Sequence, residues 1–516
     1  MPQLRELLSY RPNELNFGTS GLRGLVSDMT DLECYINTAG FLTYLAGKQM
    51  LQPGGHVIIG GDLRPSTPRI LRAVHRAIID GGFVTEYQGL IPTPALAYYG
   101  FTQRAPSIMV TGSSIPADRN GIEFYLPDSE ILKEHEAPIK ASVTAVRNWL
   151  YSQDGTLTPF NNRGMLPPVE LPVEQFEARE AYRFRYLSTF SVQALRGKMI
   201  IMYQHSAVGR DLLADLLRAL GAEVINVGRS DAFVTVDSEN VTAEDRDYFV
   251  RLAEQNHGLF AIVSTDGDSD RPLLIDEKGE FHSGDALGTI VAEWCQADYA
   301  VYPVSTNDAV DTYLTAHHVA YEHTKVGSPY VMAAMNKAIH SGRNRVVGWE
   351  PSGGFILGAD IAMGGGLLKS LPTRDAFLPL LVAMLAAIGR DISVSELFDH
   401  LPRRFTQAGL IDNFPKEISQ ALLDAFKDDT PENRDELRYY FTDALGFSDI
   451  ARVDTLDGIR IYFGNGDIAH FRPSNNAPQL RIYSVANSQA RANEIVARSL
   501  NEGGVLRQMA ANVVRS

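Results

Sequence analysis

The chain has 516 residues, 45% apolar and 21% charged, a balance that argues against wholesale disorder and supplies several hydrophobic cores. With 47 basic against 62 acidic side chains the formal charge is −15, which disfavours broad binding to nucleic acid and leaves any phosphorylated ligand to local clusters of Arg, Lys and backbone N–H groups. The longest apolar stretch, Phe377–Ile388, is short for a membrane span, the N-terminal MPQLRELLSYRPNELNF lacks a signal-like apolar region, and Cys34 and Cys295 lie in no ligand-like spacing. A cytoplasmic protein with no membrane or nucleic-acid partner is the expectation, its oligomeric state open.

The first loop of interest is Phe17–Gly24 (FGTSGLRG), where glycines and small hydroxyl residues let backbone N–H groups approach an anion and Arg23 adds a cation; an ordinary turn would look the same. His56–Asp62 then predicts a buried strand, RPSTP a turn, Arg69–Asp80 a helix and Phe83–Tyr87 a second strand. After the strand-like Ser107–Val110, the run Val110–Phe124 (VTGSSIPADRNGIEF) holds Ser113 and Ser114 in a tight loop. Such a serine is either a nucleophile or phosphoryl carrier, given a cation nearby, or part of a solvated turn. Leu157–Pro172 is rich in Pro, Asn and Gly and marks a linker.

The strand–turn–helix–strand plan returns at Lys198–Tyr203, Gly209–Leu220 and Glu223–Val227, and again at Tyr299–Pro303, Ala309–His317 and Val319–His323. Repetition of this unit predicts open α/β layers, whose ligands gather at the carboxyl ends of strands. Between the strands Leu259–Val263 and Pro272–Asp276 lies TDGDSDR, whose Asp266, Asp268 and Asp270 alternate; an extended loop would aim all three the same way. Three carboxylates so close repel one another unless a divalent cation sits among them, and hard oxygen ligands suit Mg²⁺. Gly348–Gly354 (GWEPSGG) offers Glu350 and Ser352 to sugar hydroxyls, or is a hairpin turn. A helical run follows Asp375 toward Leu401, and the remainder has strands at Ile459–Phe463 and Ile468–Phe471 and a final helix from Ser488. There RPSNNAP (Arg472–Pro478), with Arg481 beyond, is either a phosphate clamp or a polar turn.

Taken in order, FGTSGLRG, GGDLRPSTP, VTGSSIPADRNG, STDGDSDRPLLID, TKVGSPY, WEPSGG and RPSNNAP resemble the α-D-phosphohexomutase family, of the phosphomannomutase/phosphoglucomutase type, from Phe17 to Tyr483. The resemblance implies three similar mixed α/β domains plus a C-terminal α+β domain like the TATA-binding-protein fold, around a central cleft. The expected divisions are residues 1–160 with the phosphoserine loop, 161–281 with the metal loop, 282–396 with the sugar-binding loop and 397–516 as a phosphate-binding domain. It implies a phosphohexomutase that interconverts hexose 1-phosphate and hexose 6-phosphate, mannose the first expectation and glucose the second. A phosphoserine and a hexose 1,6-bisphosphate, intermediate and activator, would carry the reaction.

By the same resemblance Ser113 carries the phosphoryl group, and Asp266, Asp268 and Asp270 with a Ser113 phosphate oxygen hold Mg²⁺. Arg23 and Arg271 would stabilise the transferring group, Lys325, Glu350 and Ser352 would hold the sugar, and Arg472, Ser474 and Asn475 the distal phosphate. The departures are Ser114 and Gly354, where the family has His, Glu123 where it has Lys, and Asn476-Ala477 in the clamp. Glu123 is the candidate substitute base, with a pKa expected to rise if it is close and shielded. The alternative is a phosphosugar-binding relative with weak or no mutase activity, because the usual acid/base His and Lys are replaced.

Overall fold

The computed structural model describes residues 1–18, 20–239, 241–363, 366–473 and 479–513. By its internal contacts the chain forms two units, one of Met1–Ala300 with Gly327–Phe398, the other of Val301–Val326 with Asp399–Ser516. The proposed clamp residues Ser474 and Asn475, with Asn476 and Ala477, lie outside the described residues.

In the first unit a six-stranded sheet runs in the order Asn16–Phe17, Gly21–Leu25, Arg119–Tyr125, Ser107–Val110, His56–Gly61, Val84–Leu90. His56–Gly61 pairs in parallel with both Val84–Leu90 and Ser107–Val110, as a right-handed βαβ layer requires. Its Val57, Ile58 and Ile59 are fully buried because helices cover both faces. The connecting helix spans Thr67–Asp80, two residues longer at its start than the turn-rich RPSTP suggests. Pro68 sits in the first turn, where a missing N–H costs nothing.

The second sheet of this unit runs Phe281–His282, Pro272–Asp276, Leu259–Thr265, Met199–His205, Glu223–Arg229. Leu259–Thr265 lies between Met199–His205, parallel to it, and Pro272–Asp276, antiparallel to it, so every residue of that strand is buried. A third set, Val346–Trp349, Phe355–Leu357 and Leu371–Asp375, pairs antiparallel. The apolar run after Asp375 is not one helix but two, Phe377–Gly389 and Val394–Asp399. They are parted where Asp391 takes a left-handed φ of 56°.

The second unit contains the helix Ala309–Ala316 and strand Ala320–Thr324 of the third repeat. It also contains an antiparallel sheet in the order Phe405–Ile411, Leu480–Ala486, Ile468–Pro473, Ile459–Phe463, Ile450–Asp454. Ser488 caps the helix Gln489–Leu500 by accepting from the Arg491 N–H, and a further helix, Val505–Val513, packs with it on a core that includes Phe463, Phe471, Ile482, Ile495 and Met509. Among the described residues no helix is long and apolar enough to cross a membrane.

Candidate active site

The Ser113 loop leaves the end of Ser107–Val110 and turns back at once, which forces Ser113 itself to a left-handed φ of 50°. For a residue with a Cβ that conformation costs about 1 kcal/mol and persists only where neighbours hold it. They do so from beneath. The Thr111 hydroxyl accepts from the Ser113 N–H at 2.8 Å and donates to Asp62 at 2.8 Å, and Arg64, fully buried, donates to the carbonyls of Ser113, Ile115, Pro116 and Arg119. Asp62 in turn accepts from Arg64 Nε at 3.1 Å. Arg64 is therefore the internal strut of the loop, from a motif (GGDLRPSTP) whose residues were given no role by sequence.

The Ser113 hydroxyl is 2% exposed and donates to Asp266 Oδ2 at 2.8 Å. Asp266, Asp268 and Asp270 are all fully buried and present ligand oxygens within 4.8 Å of one another. They converge for a different reason from the extended loop the alternation suggests. The segment is a tight turn, with Ser269 at φ 63° and the Asp266 Oδ1 accepting from the N–H groups of Asp270 and Arg271 at 3.2 Å each.

Asp268 and Asp270 each have one oxygen pinned and one left over. Thr93 donates to Asp268 Oδ2 at 2.8 Å and Arg374 Nε to Asp270 Oδ2 at 2.6 Å, while Oδ1 of both is buried without a hydrogen-bond partner. Orphaned anionic oxygens are costly unless a cation completes them, so the donor set fits a hard divalent ion. The protonation balance agrees: burial, with the Asp270 charge added, pushes the Asp266 carboxyl up to about 6. Burial and then Asp270 and Asp266 push Asp268 well above the carboxylate range.

Two arginines flank this cage. Arg271 lies 3.6 Å from Asp270 and 4.0 Å from Asp266 and donates to Ser114 Oγ at 3.2 Å. Burial works against its charge, but the two aspartates more than offset this and hold it more basic than usual. Arg23 is set by strand register. Arg23 lies opposite Gly121 and Glu123 opposite Gly21, which places both charges on one face of the sheet and Arg23 Nη2 at 2.9 Å from Glu123 Oε1. A Cβ at Gly121 would fall 2.5 Å from the Leu22 carbonyl oxygen, so that crossing needs glycine.

Glu123 is 1% exposed and also accepts from the Tyr125 hydroxyl at 3.0 Å. Its pKa is raised, as expected for a shielded group: burial outweighs the opposing pull of Arg23 and Arg374. Sequence inspection missed Arg374 and Glu130 altogether. Glu130 accepts from Ser20 at 3.1 Å, from Ser328 at 2.9 Å and from Thr373, joining the first loop, the GSP segment and Leu371–Asp375 in one buried network. Glu350 lies 3.9 Å from Arg374, and Ser352, 2% exposed, gives its carbonyl to the Ser238 hydroxyl at 2.9 Å. The first unit thus gathers Ser113, the three aspartates, Arg271, Arg23, Glu123 and Glu350 into a connected set.

The second unit holds the other two expected residues. Lys325 is exposed, and the next residue, Val326, donates its N–H to Asp457 at 2.9 Å. Asp457 also pairs with Arg472 at 3.4 Å, so one carboxylate joins the Lys325 loop to the Arg472 strand. Arg472 stands directly opposite Arg481 on the adjacent strand, and its Nε is buried without a partner. Like charges facing across a ladder repel, an arrangement that favours an anion between them.

Comparison with known proteins agrees with this arrangement. Residues 14–148, 181–279 and 283–405 match the phosphoglucomutase/phosphomannomutase alpha/beta/alpha domains I, II and III, and residues 416–502 match the C-terminal domain of the same family. A phosphomannomutase of Salmonella muenchen is 40% identical over 485 residues, covering 93% of this chain and 94% of that one. The crystal structure of a phosphoglucomutase/phosphomannomutase family protein from Burkholderia thailandensis superposes with a TM-score of 0.71 at 17% identity, over 100% of this chain and 98% of its own. That of an Aspergillus fumigatus N-acetylphosphoglucosamine mutase in complex with GlcNAc-6P and magnesium does so with 0.58 at 13%, over 100% and 99%. A buried serine on an aspartate cage, four domain matches in order and a relative this similar along nearly its whole length lead to one conclusion: the chain belongs to the phosphoglucomutase/phosphomannomutase family and is a hexose phosphate mutase.

Proposed function

We propose that the protein interconverts mannose 1-phosphate and mannose 6-phosphate, with the glucose pair as a second substrate, by way of a phosphorylated Ser113. The observation that carries this is the Ser113 hydroxyl 2.8 Å from a carboxylate of the buried aspartate cage. The preference for mannose is supported by the name of the Salmonella relative. The metal proposed for Asp266, Asp268 and Asp270 is Mg²⁺, completed by a phosphate oxygen on Ser113; when bound it neutralises charge on the transferring group. The magnesium complex of the Aspergillus mutase supports the choice.

In the first half-reaction the bond from Ser113 Oγ to phosphorus breaks and a bond from the sugar hydroxyl oxygen to phosphorus forms. Glu123, raised in pKa, takes the hydroxyl proton, and the departing Ser113 oxygen takes up a proton from water to return to the hydroxyl. Arg271 and Arg23 neutralise the oxygens of the group in flight, and in-line positioning supplies most of the acceleration. Glu350, Ser352 and Lys325 hold the sugar hydroxyls, and Arg472, Ser474 and Asn475 hold the phosphate that is not reacting. The 1,6-bisphosphate then turns end for end and returns its other phosphate to Ser113. The domain limits that go with this reading are residues 1–160, 161–281, 282–396 and 397–516.

Coupled assays with mannose 1-phosphate, glucose 1-phosphate and glucosamine 1-phosphate, each with Mg²⁺ and a trace of the matching bisphosphate, test the proposal. Intact-mass measurement of the purified protein should accompany them. Turnover fastest with mannose, one phosphate on the wild type and neither phosphate nor turnover in Ser113→Ala is the expected result. Turnover retained by Ser113→Ala would end the phosphoserine scheme, and turnover of the amino sugar alone would end the substrate assignment.

A further inference from the structure

We propose that Arg374 is a positioning residue that locks the metal loop to the sugar loop, so that the cation site and the sugar site form together. This rests on the metal reading given above. Arg374 comes from the strand Leu371–Asp375, and its side chain is 2% exposed. Its Nε donates to Asp270 Oδ2 at 2.6 Å, its Nη1 donates to Ser328 Oγ at 2.6 Å, and its remaining reach brings Glu123 and Glu350 each to 3.9 Å. One guanidinium therefore faces the metal loop, the candidate base and the sugar loop at once.

Two details make this a built arrangement. The bond to Asp270 occupies Oδ2 and leaves Oδ1 as the buried orphan, so Arg374 fixes which oxygen of Asp270 is offered to a cation. On the sugar loop, a Cβ at Gly354 would lie 2.9–3.0 Å from Cδ, Cβ and Cγ of Arg374, so the arginine stem fills the space that a side chain at 354 would take. The strand beneath is itself anchored: Asp375 accepts from Tyr182, Tyr186 and Arg185, all buried. Arginine is needed because its planar fork meets separate partners from fixed directions, which a lysine point charge cannot do.

The test is Mn²⁺ binding followed by electron paramagnetic resonance of the free ion, without sugar, on wild type, Arg374→Lys and Arg374→Met, alongside KM for the hexose 1-phosphate. Both variants should bind Mn²⁺ about 10- to 100-fold more weakly, the usual cost of losing a partner behind a metal ligand, and KM should rise in both. Wild-type Mn²⁺ affinity in a folded Arg374→Lys, whatever its melting temperature, would overturn the inference and leave the metal reading standing. A wild type that takes up no Mn²⁺ would overturn both. If neither Arg374 variant accumulates folded, Ser328→Ala decides: it frees Nη1 while keeping the charge, weaker Mn²⁺ binding supports the inference, and unchanged binding overturns it.

Discussion

Replacing Asp266 with Asn tests whether the aspartate cage is strained without its cation. Burial and the neighbouring Asp270 hold the Asp266 carboxyl at about 6, against an ordinary 3.8. A raised carboxyl pKa means that the folded state binds its proton more tightly than the unfolded chain does. The metal-free protein is therefore most stable, as far as this group is concerned, below pH 4, and it loses stability as pH climbs from about 4 to 6. At 1.36 kcal/mol per tenfold change in proton affinity the loss is about 3 kcal/mol, or roughly 4 °C in melting temperature for a unit this large. A divalent cation reverses the sign by favouring the ionised form. Calorimetry in EDTA and in Mg²⁺ between pH 4.5 and 8 should show Mg²⁺ stabilising the wild type far more at pH 7.5 than at pH 4.5. Asp266→Asn in EDTA should show a shallower fall between pH 4.5 and 6, because Asp268, held well above the carboxylate range, still contributes its own share. Equal slopes for the two proteins in EDTA, or Mg²⁺ stabilisation independent of pH, would refute the reasoning.

Arg64→Lys keeps the charge but cannot donate to four loop carbonyls, so it should lower stability by about 3 kcal/mol, seen in urea titration, and raise proteolysis within 112–119. Arg472→Ala should raise KM for the hexose phosphate about 10- to 100-fold while leaving phosphate on Ser113, measured by steady-state kinetics and intact mass. Glu123→Lys, which installs the residue the family resemblance leads one to expect there, should destabilise by about 3 kcal/mol, because it sets a buried ammonium beside the half-buried Arg23 in place of its carboxylate partner. Thermal melting checks that figure, and the variant should not gain activity.

Much of the fold was legible because its signals are local. The strand Ile459–Phe463 needs only its alternation and flanking turns, and the repeat at His56, Lys198 and Tyr299 needs only apolar runs followed by polar turns and amphipathic helices. What failed was also local in cause. Thr67 and Pro68 look like turn residues until Pro at a helix start is allowed for, and the break at Asp391 is signalled by Gly389 before it and by the reciprocal Ser393–Glu396 capping pair after it, which the long apolar run masks.

The site divides along a different line. Ser113 and Asp266, Asp268 and Asp270 stand on single loops dense in small and acidic residues, so their chemistry is visible within a few positions. Arg374 stands next to Asp375, and Glu130 stands in a charged run that includes Asp128, Lys133 and Glu134, so nothing local singles either out, and their meaning lies in partners far along the chain, Asp270 for one and Ser20 with Ser328 for the other. An unpaired buried charge is prohibitive, so a lone Arg in a buried strand implies an acidic partner without saying which. Glu123 shows the consequence. As a substitution for lysine it looks like the loss of a proton-transfer group. In the structure it is the carboxylate between Arg23 and Arg374, and with the Arg374 stem filling the space beside Gly354, positions 123 and 354 meet at one arginine side chain. The two positions are therefore coupled through Arg374, whereas a comparison position by position counts them as separate losses.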